Sequence, residues 1–344
     1  MRIFLAPMES VVDHHFRALY GSVGGIDVMV SEFVRVNEQP VTVKTLLREC
    51  PELERAGLAP GGVSATADGT PVRLQLLGSN PATLAESAAL AASMGAAAID
   101  LNFGCPAKTV NKSRGGSVLL KEPELVGRIV AAVRAAVPLA LPVTAKIRLG
   151  FEARDLYMDN ARAIAAAGAS ELCVHARSRA DGYRPPAYWS CIAEIRAAVS
   201  IPVVANGEIW SVADWRRCKA ESGATDFMLG RGLLACPDLA REIRAADAGT
   251  DYCPMTWAQI LPLVRTLYDA TRDQYPRRFL GNRVKQWLHY LSLHYAPAAA
   301  FFARVKRLQQ PEEFEAAFAR ERAAADDAAA REIETKEPVS ALAG

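Results

Sequence analysis

Residues 3–10 read IFLAPMES, and the way this apolar run ends decides between two folds. Similar runs rich in Val, Ile and Leu recur at 28–34, 72–78, 97–104, 142–150, 171–178, 202–209 and 227–232. Segments of helical period lie between them, such as PELVGRIVAAVRAAV (123–137), NARAIAAAGA (160–169), WSCIAEIRAAV (189–199) and SVADWRRCKAES (211–222). Strands alternating with helices in this way build either a (β/α)8 barrel or a doubly wound open sheet. The open sheet of a dinucleotide-binding protein wants GxGxxG after its first strand, because glycines let the backbone approach a pyrophosphate. Here the first strand runs into Pro7, Met8, Glu9 and Ser10 instead. The sequence therefore predicts an α/β fold, a (β/α)8 TIM barrel over residues 1–245.

Two stretches break the alternation. Residues 54–70, ERAGLAPGGVSATADGT, lack any period and read as a surface excursion before the third strand. After residue 245 no further strand pattern occurs, and the periodicity from TWAQILPLVRTLYDATRDQY onward predicts a small all-α C-terminal domain over 250–322. The remainder, 323–344, is rich in Ala and charge with almost no large apolar residues, which predicts a disordered tail or a frayed helix.

Half of the 344 residues are apolar (51%) and 23% are charged, enough to fill a sizeable core. No apolar run reaches the ~18 residues of a membrane span, and the N-terminus is too soon charged for a secretory signal. The seven cysteines are scattered, with no CxxC and no Cys/His pair at zinc spacing, so no metal site is expected. That usage suits a reducing cytoplasm, with most thiols inert and buried. A net charge of +2 means that any nucleic-acid surface must be a local patch.

In such a barrel the C-terminal ends of the strands face the active site. These ends carry Pro7-Met8-Glu9, Gln75, Asn102 with Cys105, Lys146 with Arg148, His175 with Arg177, Asn206-Gly207-Glu208 and Gly230-Arg231. Taken singly, each is compatible with a structural role; together they predict a polar cavity at the barrel mouth. The glycine turns after the seventh and eighth strands fit a phosphate site, since backbone N–H groups at a helix start favour anions. Lys146 then fits as a fixed positive charge near a cofactor ring, able to hold the negative charge on the pyrimidine end of a reduced flavin.

The segments APME, EFVRV, RLQLLG, DLNFGCPAKTVN followed by RGG, KIRLG, VHARSRADGY, NGEI and GRG together resemble the tRNA-dihydrouridine synthase family, with LN-x-GCP-x-x-x-V its signature. The resemblance runs from residue 3 to about residue 308. EFVRV and RVKQWLHYL are most similar to the C subfamily, associated with uridine 16 of bacterial tRNA. It implies a barrel that holds FMN, a helical C-terminal domain, and reduction of tRNA uridines by NADPH. It assigns FMN to Pro7, Met8, Glu9, Gln75, Lys146, His175, Asn206, Gly207, Glu208, Gly230 and Arg231, and makes Cys105 the catalytic acid. Asn102, Tyr183, Arg35, Lys285, Trp287 and Lys306 resemble the positions that contact or orient the tRNA. Ser10 stands where the family often has glycine, and Phe103 where a smaller residue or Cys is commoner.

Saturating the C5–C6 bond of uracil needs a hydride at C6 and a proton at C5. A thiol with an ordinary pKa of about 8.5 carries its proton at neutral pH and can release it. Pro106 stiffens the loop after Cys105, and Gly115-Gly116 reads as its hinge. Between Arg272 and Arg307 eight basic residues meet one acid, Asp273, among Tyr275, Trp287, Tyr290 and Tyr295, a composition suited to phosphates and exposed bases. In this reading the barrel does the chemistry on a base turned out of the tRNA, and the helices choose the nucleotide. Two alternatives stay open on sequence: a small-molecule pyrimidine oxidoreductase, which needs no basic helical surface, and a non-catalytic tRNA-binding protein. Oligomeric state is not legible.

Overall fold

The computed structural model describes residues 1–58, 61–274 and 276–336, with side chains at 277 and 328–336 excepted. Tyr275 lies outside the described residues. Eight parallel strands form a closed barrel: β1 (Ile3–Leu5), β2 (Val28–Arg35), β3 (Val72–Leu77), β4 (Ile99–Phe103), β5 (Val143–Arg148), β6 (Glu171–His175), β7 (Val203–Asn206) and β8 (Asp226–Leu229). β8 closes back on β1 through the pairings Ile3 with Phe227 and Leu5 with Leu229. All eight expected runs are strands, because parallel strands covered on both faces read as continuous apolar runs. The barrel interior is packed by Phe4, Ala6, Val30, Cys173, Val204 and Met228. Burial there pushes the Cys173 thiol up to about 12, which makes it inert.

At the N-terminal ends of the strands, Glu171 receives Arg2 at 2.6 Å and Arg73 at 2.5 Å, while Arg2 also bridges Asp226 at 2.6 Å. Arg73 lies 4.9 Å from the Phe4 ring centroid. These paired charges plug the face of the barrel opposite the catalytic one, where polar residues serve stability.

The stretch before β3 is more ordered than its composition suggests. It begins with the helix Glu52–Ala56, whose Glu52 forms a buried ion pair with Arg17 at 2.7 Å. Ser64 and Thr66 are buried, and Ser64 Oγ donates to Val72 O at 2.6 Å, so the excursion is stitched onto the sheet by backbone and hydroxyl hydrogen bonds.

The chain divides into two compact units. One comprises Met1–Leu233 with Leu239–Thr250; the other comprises Leu234–Asp238 with Asp251–Gly344. The second is helical: Trp257–Thr271, Asn282–Leu291, Ala296–Val305 and Pro311–Lys336, besides a short 3-10 turn. The boundary thus falls at 250, and the five residues 234–238 group with the helices. The last helix continues through Lys336, the helical one of the two readings of the tail from 323. Alanine carries the highest helix propensity, Ala325 is buried, and Arg322 reaches Asp326 one turn on at 3.8 Å. Residues 337–344 lie outside the described ones. Among the described residues no helix is long and apolar enough to cross a membrane.

Candidate active site

Register lines the expected strand-end residues up across the sheet. Asn102 on β4 pairs with Lys146 on β5; Arg148 pairs with His175 on β6, and His175 with Asn206 on β7. Lys146 Nζ donates to Asn206 Oδ1 at 3.1 Å, and Asn206 Nδ2 donates to Met228 O at 2.7 Å, tying β5, β7 and β8 together. Burial lowers the Lys146 pKa, with Arg148 adding repulsion. Among the described residues no carboxylate pairs with this ammonium in direct contact, so it is poised for an anionic group.

His175 is held neutral. Its pKa lies well below the ordinary value, through burial first and then repulsion from Arg148, Lys146, Arg177 and Arg231. Its Nδ1 is buried without a partner, as is one terminal nitrogen of Arg177. Arg177 donates through Nε to Arg184 O at 2.7 Å and pairs with Glu208 at 2.5 Å; Arg231 approaches the same carboxylate at 3.6 Å. A buried polar atom without a protein partner is a group that a ligand's hydrogen bond could satisfy.

The two glycine turns are shaped for close approach. Gly207 has φ +112°, and a Cβ there would sit 3.3 Å from the His175 ring; Glu208 follows at φ +58°. Trp189 Nε1 donates to Gly207 O at 3.0 Å and braces this turn. A Cβ on Gly232 would lie 2.1 Å from Ile209 O, so only glycine fits after Arg231. On Gly230 it would lie 3.7 Å from Met8 Sδ, which brings the turn after β1 beside the turn after β8. Ser10 adopts φ +60°, a left-handed conformation that explains why glycine is the commoner residue there. Unpaired nitrogens, free positive charge and bare backbone are a donor set that fits a phosphorylated, anionic ring cofactor.

Cys105 sits just beyond β4 among Phe33, Leu77, Val110 and Ala107. Burial raises its pKa above the ordinary thiol value, with Glu9 adding to the rise and Arg35 and Arg148 opposing it. Glu9 and Arg35, paired at 3.5 Å, thus act on the thiol electrostatically in opposite directions. The loop is cross-braced. Cys105 O accepts from Ser117 N at 3.1 Å, Ser117 Oγ at 2.9 Å and Asn111 Nδ2 at 3.2 Å. Gly116 has φ +66°, and a Cβ there would press against Cys105 O at 2.8 Å; one on Gly115 would meet Leu77 at 2.8 Å. The glycine pair thus allows close packing under the cysteine.

Arg148, a strand-end residue to which sequence reasoning gave no role, joins two loops at the mouth. It donates to Gly104 O at 2.9 Å, to Ser178 O at 3.2 Å and to Gly182 O at 3.1 Å. It also lies 5.2 Å from the Tyr183 ring centroid, with Arg231 at 4.5 Å. Tyr183 is 51% exposed, an accessible aromatic face held by two guanidinium groups. Asn102, by contrast, is buried, and both ends of its amide are engaged.

In the helical unit the expected basic surface is thinner than its composition. Arg272 lies near Asp269, Asp273 and Glu315, and Arg304 pairs with Glu321. Lys285 donates to Leu308 O at 2.7 Å. Trp287 corrects the idea of a stacking face: it is 1% exposed, its Nε1 donates to Leu234 O at 3.1 Å, and no base can lie on a buried indole. Lys306 and Arg307 are exposed at the end of the helix Ala296–Val305.

Residues 4–330 match the family described as Dihydrouridine synthase (Dus). The tRNA-dihydrouridine(16) synthase of Pseudomonas putida is 50% identical over 307 residues, covering 89% of this chain and 93% of that protein. The protein of that name from Pseudomonas syringae pv. tomato is 51% identical and that from Shewanella oneidensis 46%, covering 95% and 96% of their lengths. A solved structure of the old yellow enzyme homologue from Zymomonas mobilis aligns over 75% of this chain and 91% of that one, at a TM-score of 0.48 and 12% identity, too distant to bear on function. The family match spans the barrel, its cysteine loop and the helical unit alike, and the chain belongs to the dihydrouridine synthase family.

Proposed function

We propose that this chain reduces uridine 16 of tRNA to 5,6-dihydrouridine in the cytoplasm, with FMN as its flavin and NADPH as the reductant. The relatives that share about half its sequence carry that positional name, and the chain spans nearly their whole length. The observation that carries the reading is the thiol of Cys105: a loop cysteine at the barrel mouth, kept protonated by burial.

Reduced FMN, when bound, supplies the hydride that adds to C6 of the uracil. The chain's own residues do the rest. The Asn206–Glu208 and Gly230-Arg231 turns, with Arg177, are suited to the phosphate end, where positive φ and missing side chains leave N–H groups open. Lys146, uncompensated by a direct carboxylate, is suited to negative charge on the pyrimidine end. His175, neutral, can donate or accept a hydrogen bond there without adding charge. Pro7, Met8, Glu9 and Gln75 complete the set around the ring. Cys105 Sγ delivers the proton to C5, and Phe33, Leu77 and Val110 around it keep water from quenching the step. Tyr183 and Arg35 serve at the mouth to receive the base and its phosphates, and Lys306 and Arg307 to hold the RNA elsewhere on its backbone.

Cys105→Ala tests the assignment. NADPH should still reduce the bound flavin at the parent rate, while dihydrouridine at position 16, mapped in tRNA from a strain carrying only the variant, falls by about 10²–10⁴ in rate. Turnover at the parent rate would mean that another group supplies the proton.

A further inference from the structure

A line of buried side-chain bonds runs from the middle of the barrel to the cysteine loop. Asn102 Oδ1 accepts from the backbone N–H groups of Gly104 at 2.9 Å and Cys105 at 2.8 Å. Its Nδ2 donates to Gln75 Oε1 at 2.8 Å, and Gln75 Nε2 donates to Asp100 Oδ2 at 2.6 Å. Thr144 Oγ1 donates to the other carboxylate oxygen at 2.5 Å. Asp100 and Asn102 are two apart on β4, so they share the barrel's inner face, yet they are linked only through Gln75 on the neighbouring strand.

The direction of every bond in this line is forced. Backbone N–H groups can only donate, so Asn102 must turn its oxygen to the loop and its NH2 to Gln75. Gln75 must then turn its oxygen to Asn102 and its NH2 to Asp100, and a carboxylate is the group that can only accept. Asp100 is 3% exposed, which pushes its carboxyl upward; Gln75, Thr144, Arg73 and Lys146 act against that rise. A buried carboxylate is costly unless donors offset its desolvation, and here Gln75 and Thr144 supply them.

We propose that Asp100 is a positioning residue for the acid loop: its carboxylate fixes which way the Gln75 amide faces, Gln75 fixes Asn102, and Asn102 holds the N–H groups that set the place of Cys105. The proposal rests on the reading of Cys105 as the acid for its functional meaning, but its physical content is a bond polarity that can be reversed.

The test is a mutant cycle of the full chain: Asp100→Asn, Asn102→Asp, and both together. In Asn102→Asp alone, a carboxylate at each end presents acceptors to one Gln75 amide, which cannot donate to both. In the double variant the amide introduced at position 100 donates to a flipped Gln75. Gln75 then donates to the carboxylate introduced at position 102, and the loop N–H groups keep their acceptor. Amide hydrogen exchange of the 104–117 segment at about pH 8, on the full chain as purified, reads the loop directly. Loss of one buried hydrogen bond should speed exchange about tenfold in Asn102→Asp, and the double variant should return to within about threefold of the parent. Asp100→Asn alone replaces an obligate acceptor by an amide that can face either way, so exchange should rise by about threefold or more, and exchange at the parent rate would overturn the role given to the carboxylate. No rescue in the double variant, or an Asn102→Asp protein that exchanges like the parent, overturns the proposal. If Cys105→Ala keeps turning over while the exchange cycle behaves as described, the failure lies with the acid assignment and not with this relay.

Discussion

Replacing Gly116 by Ala probes the seat of Cys105 without touching the thiol. The residue has φ +66°, where an L side chain costs about 1 kcal/mol. Its new methyl group would also lie 2.8 Å from Cys105 O and 3.0 Å from Cys105 Cβ and from Val110 Cγ1. Two of these atoms belong to Cys105 itself, and the loop they sit in is braced by three hydrogen bonds to Cys105 O. Forcing such a packed site apart costs a further ~1–3 kcal/mol, for a total of about 2–4 kcal/mol. Gly249 supplies the control, with φ +67° and nothing within 4 Å of an added Cβ. Gly249→Ala should therefore cost only the conformational ~1 kcal/mol. In the thermal transition of the barrel unit, at roughly 2–4 °C per kcal/mol, Gly116→Ala should drop about two to four times as far as the control. A displacement of about 1 Å in the acid should also cut dihydrouridine formation by about 10²-fold, with flavin reduction by NADPH unchanged. Gly249→Ala should leave turnover intact. Equal melting shifts and equal turnover for the two variants would refute the claim that glycine is there for packing under Cys105.

Because burial raises the Cys105 pKa, the acid stays protonated past the range of an ordinary thiol. Activity limited by this group falls as pH rises through its pKa, so single-turnover product formation should show no loss between pH 7 and about 8.5; a decline centred near or below that value would contradict the burial argument. On the helical unit, Lys306→Ala should lower the slope of log affinity for tRNA against log salt by about one unit, measured by filter binding, because Lys306 is exposed. Trp287→Ala should instead destabilise its unit by about 3–5 kcal/mol in chemical denaturation, since the indole is core; a stable variant with selectively weakened RNA binding would reverse that assignment.

The barrel was legible because its strands are buried on both faces, so each one is an apolar run long enough to stand out. The strand-end polar residues followed from the same pattern, and the pairings of Asn102 with Lys146 and of His175 with Asn206 realise it. Trp287 could have been placed correctly from sequence: Val284, Trp287, Leu288 and Leu291 recur at the spacing of one helix face, and all four are buried. Its position among basic residues suggests an aromatic offered to bases, and there the period is the better guide than the composition. Of the neutralising partners, Asp269 and Asp273 lie beside Arg272 in sequence, whereas Glu315 and Glu321 lie on a separate helix and were not legible in the same way. Gly115 and Gly116 show a third kind of limit. A glycine in a sequence announces freedom, and only the neighbours of its missing Cβ say whether that freedom serves motion or close contact.

The electrostatics of the mouth explain why a chain of net charge +2 can still be specific for anions. Lys146, Arg148, Arg177 and Arg231 all bear on one imidazole, strongly enough with burial to keep His175 neutral. Glu208 answers two of these cations, and Asp100 attracts Lys146 from below, so the cluster is compensated only in part. Like charges gathered in a low-dielectric cavity oppose folding unless something negative joins them. Lys146 and Arg148 are held on β5, whose hydrogen-bonded register fixes their spacing, while Arg177 and Arg231 lie in the segments that follow β6 and β8, beside the positive-φ turn at Gly207 and Glu208. An anionic cofactor relieves their repulsion. A flexible surface patch of equal charge would be screened by salt and would spread; here the charges are fixed and enclosed, which strengthens their hold on any anion that enters the barrel mouth.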